Sequence, residues 1–155
     1  MTIENSKAPF FIHGGKHVDE RGTLSYINDF SLEKIKRFYT ITHPNTDGIR
    51  AWQGHRYQPR YFYVTSGAFW VACVKIDNWQ NPSNNLKAQV FKIDANHQNS
   101  VLYIPPGYAN GIKAIKKESS LISYCEDLLN ENPDDNYRFN DNLWLDWNKL
   151  EVDTK

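Results

Sequence analysis

Residues 60–77 hold two alternating stretches separated by a single glycine, Gly67. In the second stretch Trp70, Ala72, Val74 and Ile76 fall on one side, and Phe69, Val71, Cys73 and Lys75 on the other. A period of two is the strand repeat, and a glycine at the joint suits a hairpin corner. The spacing predicts further strands over 9–13, 23–27, 35–42, 88–94, 100–104, 111–115 and 120–126, with one helical turn over 31–34. Residues 78–85 read as loop, and 130–141, dense in Asn and Asp, as turns. The patch Leu143-Trp144-Leu145-Asp146-Trp147 is expected to dock the tail on the body. Many short strands and almost no helix specify an all-β sandwich or barrel, with Trp70 and Val74 facing the barrel interior or a dimer interface. Periodicity alone does not say which sandwich or barrel.

A chain of 155 residues is long enough to bury a core unaided, and a single domain over 1–155 is expected. Eighteen basic side chains cancel eighteen acidic ones, with no basic stripe, so nucleic acid is not an expected partner. No apolar run is long enough to span a bilayer, and residues 1–7 hold no apolar signal core; no membrane partner and a cytoplasmic location are expected. Cys73 and Cys125 sit in apolar strand-like runs, the setting of small buried hydrophobes in a reducing compartment. Nine Tyr, eight Phe and five Trp serve a β-rich core, or the wall of a pocket for a sugar or a base.

Two blocks carry the chemistry. Gly48-Ile49-Arg50-Ala51-Trp52-Gln53-Gly54-His55 gathers a cation, an indole, an amide and an imidazole at the start of a strand-like region. Tyr103-Ile104-Pro105-Pro106-Gly107-Tyr108-Ala109-Asn110-Gly111 is a turn leading into a strand. With Asp19-Glu20-Arg21-Gly22, Val74-Lys75-Ile76-Asp77 and Asn140-Asp141-Asn142-Leu143-Trp144-Leu145-Asp146-Trp147, these blocks resemble, in order, the dTDP-4-dehydrorhamnose 3,5-epimerase family and its cousins, the sugar 3,4-ketoisomerases. The resemblance spans roughly residues 19–147. It implies a cupin jelly roll (double-stranded β-helix), a homodimer that exchanges N-terminal strands, and no metal or other cofactor. The implied ligand is a nucleotide-diphosphate-linked 4-keto-6-deoxy sugar used for surface polysaccharide.

By position, the resemblance assigns Arg21 and Arg50 to the diphosphate. A guanidinium fork matches phosphate oxygens and stays charged, whereas Arg50 taken alone reads equally as a surface salt bridge. It adds Tyr39 and Asn110 to the substrate-binding set. The catalytic set is His55, Tyr124, Arg60 and Gln53, and it departs from the family. Gln53 stands where the family has its base histidine, and an amide only hydrogen-bonds. Arg60 stands for a lysine, and Asn110 for a second pocket histidine. Tyr124 aligns with the family's acidic tyrosine across a one-residue gap, and the aspartate behind the base has no counterpart. His55 matches the second of two histidines in the ketoisomerase motif. Lying two residues from Gln53, it is predicted to share Gln53's face. His13, His17, His43 and His97, in turn-like or terminal segments, are expected to be solvated or structural. Metal-binding cupins need two histidines and an acid where this chain has Gln53, His55 and Arg60, so no metal site is expected.

A ketone acidifies the hydrogens on its neighbouring carbons. The implied reaction removes one with a base and returns a proton to the other face (epimerisation) or to the next atom (keto transfer), while a donor or cation holds the enolate oxygen. His55 is the only imidazole in a matched block. The alternative is a non-catalytic sugar-nucleotide-binding or accessory cupin that keeps the diphosphate clamp without the base.

Overall fold

The computed structural model describes residues 3–150. Twelve strands run along the described residues: β1 (Phe10–His13), β2 (Gly15–Asp19), β3 (Gly22–Tyr26), β4 (Arg37–His43), β5 (Ile49–His55), β6 (Arg60–Ser66), β7 (Ala68–Lys75), β8 (Ala88–Asp94), β9 (Ser100–Ile104), β10 (Tyr108–Ala114), β11 (Ser119–Cys125) and β12 (Tyr137–Arg138). The described helix is confined to the 3-10 turns Ile3–Asn5 and Trp147–Lys149. Residues 31–34 form a turn instead of the expected helical one, with the Ser31 hydroxyl accepting from the Glu33 amide. Two five-stranded antiparallel sheets, β1-β9-β6-β11-β4 and β12-β5-β10-β7-β8, pack face to face, and among the described residues β2 and β3 pair only with each other. This is the jelly-roll sandwich, and Gly67, at φ +71°, makes the β6–β7 corner.

Three layers of apolar contact explain why so many strands are apolar on both sides. Between the sheets lie Phe62 and Val64 from β6, Phe69, Val71 and Cys73 from β7, Leu102 and Ile104 from β9, and Leu121 from β11. Behind the second sheet, Trp52, Ala72, Val74 and Ile76 meet the tail residues Leu143, Trp144, Leu145 and Trp147. The tail thus docks as expected, but Trp70 and Val74 face it and not the space between the sheets, which belongs to Phe69, Val71 and Cys73. Alternation fixes that these two sets oppose each other; it cannot say which one the second sheet receives. Gly111 permits the docking, because a Cβ there would sit 2.6 Å from the Trp147 ring. Behind the first sheet, Tyr61 and Tyr103 pack with Phe30, Ile35 and Tyr124. Cys73 and Cys125 are buried free thiols.

Candidate active site

A cleft of about 510 Å³ opens between the sheets, walled by β4 and β6 on one side and β5, β10 and β12 on the other, and roofed by the loop from Asp127 to Asn136. Its contents depend on one irregularity. Arg50 and Gln53 are three residues apart and would face opposite ways in a regular strand. Between the pairs Asn110–Gln53 and Ile112–Arg50, however, β5 carries two residues, Ala51 and Trp52, against the single Gly111 of β10. The extra residue resets the parity: Arg50, Gln53 and His55 all line the cleft, while Trp52 is fully buried behind the sheet.

His55 is 4% exposed. Its Nδ1 lies 2.9 Å from the Asp135 carbonyl, which only accepts, so Nδ1 carries the proton and Nε2 the lone pair. Arg60 Nη2, 3.4 Å from Nδ1, is a second donor and makes a contact there, not a bond. Nε2 is buried with no partner among the described residues. Burial, then the Arg60 charge, pushes the His55 pKa down to about 4, so the ring is neutral at physiological pH. Arg60, also buried, donates to the Pro59 carbonyl at 2.9 Å and faces the Asp127 carboxylate at 3.5 Å. The Asp135 carboxylate accepts from the backbone amides of Arg56, Tyr57 and Gln58, pinning the loop whose carbonyl orients His55.

The burial of His55 has a consequence for stability. The unfolded ring takes up a proton below pH 6.5 and the folded one only near 4, so the unfolded state binds more protons between those values. The contribution is intact above pH 6.5 and falls away as pH drops to 4, by about 3 kcal/mol in all. Chemical denaturation at several pH values should show this loss in the native protein and a shallower one in His55→Gln.

Six of the eight residues singled out from sequence line this cleft: Arg50, Gln53, His55 and Asn110 on one wall, Tyr39 and Arg60 on the other. Tyr124 does not. On β11 it alternates with Ser123, and Ser123 pairs with Tyr39 and Phe62, both of which line the cleft, so the inward position is serine. Tyr124 turns to the outer face and packs on Phe30 and Phe38. The one-residue gap used to align it is corrected by the period of the strand, and the Ser123 hydroxyl is left buried without a partner among the described residues. Arg21 also lies outside the cleft of its own chain, at the β2–β3 turn, 81% exposed and 2.6 Å from Asp19.

Sequence reasoning missed Arg37 and Arg138, which also line the cleft. Arg37 donates through Nε to the Asp127 carbonyl, and its guanidinium lies over the Tyr39 ring. Arg138 registers with Gln53 across β12 and β5. Neither Arg138 nor Arg50 has an ion-pair partner among the described residues. His43, expected in a turn-like or terminal segment as a solvated or structural residue, is not in a turn. It ends β4 instead, 6% exposed against Phe69, with its pKa lowered by burial and by Arg50. Among the described residues, no group of three or more His, Cys, Asp and Glu converges as a metal site.

A family model described as dTDP-4-dehydrorhamnose 3,5-epimerase matches residues 11–155. The fold is similar to that of the rmlC epimerase of Mycobacterium tuberculosis (18% identity, TM-score 0.73), over 92% of this chain and 76% of that one. It is also similar to a dTDP sugar isomerase of Desulfovibrio desulfuricans (13%, TM-score 0.74, 94% of both chains). A third similar structure is a 3,4-ketoisomerase of Helicobacter canadensis (17%, TM-score 0.65, 84% of this chain and 90% of that one). At these identities the likeness is one of fold. No curated protein matches the chain.

Proposed function

The chain belongs to the dTDP-4-dehydrorhamnose 3,5-epimerase family, and on that premise we propose that it epimerises or isomerises a nucleotide-linked 4-keto-6-deoxy sugar by moving a proton next to the ketone. One observation carries the reading: a neutral, buried imidazole, His55, lines the cleft with Nε2 unpartnered. That nitrogen is held in the right tautomer to accept a proton from carbon, the task that Gln53 cannot perform. Arg60, the buried cation beside it, stabilises the enolate oxygen. Tyr39 takes the acid's place, because it lines the wall opposite His55 and its hydroxyl has no hydrogen-bond partner among the described residues.

Incubation with dTDP- and UDP-linked 4-keto-6-deoxyglucose in heavy water, followed by NMR, tests the proposal. Deuterium should enter at a carbon flanking the ketone. Firm nucleotide binding without exchange would instead support the accessory reading, which the amides at the two family histidine positions, Gln53 and Asn110, favour.

Arg50 binds the diphosphate in this scheme, as an exposed cleft cation without an acidic partner. Arg50→Ala should weaken dTDP binding by about tenfold to a hundredfold, the 1.5–3 kcal/mol of a charge-assisted contact. Calorimetric affinities within twofold of each other would remove Arg50 from that role.

The protein acts as a cytoplasmic homodimer supplying deoxysugar for surface polysaccharide. The β2–β3 hairpin supports the dimer: among the described residues it pairs with no other strand, and it exposes Val18 at 69% and Leu24 at 61%. Such an arm is covered when it lies on a second copy, and there its tip would carry Arg21 to the other molecule. Sedimentation should find a dimer at micromolar concentration and a monomer in Val18→Asp/Leu24→Asp; a monomeric native protein would remove the arm's partner.

A further inference from the structure

Gln53 and Asn110 stand as direct partners across β5 and β10, and both side chains line the cleft. Gln53 uses the Nε2 end of its amide on Asn136, at 3.1 Å, and its Oε1 has no hydrogen-bond partner among the described residues. Asn110 is only 8% exposed, and its amide has no hydrogen-bond partner among the described residues. Its Oδ1 and Nδ2 are not among the sealed polar atoms, so the amide opens to the cleft with a donor and an acceptor available to whatever enters. Two amides side by side offer both donors and acceptors. That suits a hydroxyl, which donates and accepts through one atom, better than a phosphate, which only accepts.

Order along β5 says which hydroxyl. Arg50, the proposed diphosphate ligand, comes first, then Gln53 with Asn110 beside it, then His55. Gln53 and His55 are roughly 6.6 Å apart along the strand, about the width of a sugar ring. A ligand with its diphosphate at Arg50 and its reacting carbon at His55 therefore lays the carbon nearest the anomeric link over the amide pair. We propose that Gln53 and Asn110 determine specificity by holding the C2 hydroxyl of the sugar, restricting the substrate to sugar nucleotides that keep a free hydroxyl there. This rests on the function proposed above. It also makes the departure from the family's histidines a change in what these positions do: they hold an oxygen where the family moves a proton.

Affinities for dTDP, dTDP-glucose and dTDP-2-deoxyglucose test it by calorimetry on the native protein, Asn110→Ala and Gln53→Ala. The native protein should prefer dTDP-glucose over the 2-deoxy sugar by about tenfold or more. Each variant should bring the two sugars within about threefold of each other while leaving dTDP affinity unchanged, which also certifies the fold. Equal affinity of the native protein for the two sugars overturns the inference, with no variant needed. An undiminished preference in both variants overturns it as well. If dTDP binds and the sugars are not told apart, only this inference fails. If neither dTDP nor either sugar binds, the proposed function fails and takes the inference with it.

Discussion

Exchanging His55 for alanine should lower deuterium exchange into a 4-keto sugar nucleotide by about a hundredfold to ten-thousandfold, the usual contribution of a positioned general base. The expectation follows from where the lone pair is. The Asp135 carbonyl fixes the proton on Nδ1 and leaves Nε2 unpartnered in a ring that lines the cleft. Gln53, nearer the diphosphate end, has no basic atom to take over. The pH profile adds a signature. An ordinary histidine base loses activity below about pH 6.5, but burial and the neighbouring Arg60 hold this one neutral down to about 4. The acid limb of kcat/KM, which reports the free protein, should therefore sit near 4. An anionic substrate offsets the Arg60 charge, so the limb in kcat should lie at higher pH than the limb in kcat/KM. Full exchange in His55→Ala, with native affinity for dTDP, would remove His55 from the reaction.

What the chain reveals before it is folded depends on whether the needed information is local. The strand alternation is local, and it locates β6 to β11 well; the exception is β10, which begins at Tyr108, three residues before the predicted 111. β2 was not anticipated, because Val18 is its one apolar side chain and it carries no apolar face to betray a period. The site was half legible. His55 and Gln53 share a face by simple parity, whereas Arg50 reaches that face only because β5 carries an extra residue opposite Gly111. That count depends on the partner strand and cannot be made from β5 alone. Arg37 and Arg138 are ordinary arginines in sequence. They become cleft residues because β4 and β12 are edge strands of the two facing sheets, a fact of topology. That Trp70 and Val74 turn away from the barrel interior was hidden for a related reason. Both faces of β7 are apolar, and only the docked tail distinguishes them.

The two tyrosines on the first sheet divide the remaining chemistry. Tyr39→Phe should lower kcat by about a hundredfold or more while leaving dTDP affinity within twofold, since a proton donor acts mainly in the transition state. Tyr124→Phe should leave turnover within about twofold. Both residues lie on the strands that face β5, and they differ by parity. Tyr39 registers with Ser123 and Tyr124 registers with Phe38, so one phenol points at the cleft and the other at Phe30 behind the sheet. Burial also raises the Tyr124 pKa, which makes it a poorer acid, and it has no path to the substrate that does not cross the sheet. Epimerisation needs groups on both faces of the sugar, and His55 and Tyr39 stand on opposite walls. The Tyr39→Phe protein should therefore still exchange the proton that His55 removes, but without inverting the carbon, so that exchange exceeds epimer formation. If both fall together, Tyr39 is needed to form the enolate and not only to quench it. If Tyr124→Phe is the variant that loses turnover, β11 must shift by one residue when the sugar binds, and the serine facing the cleft is not its working register.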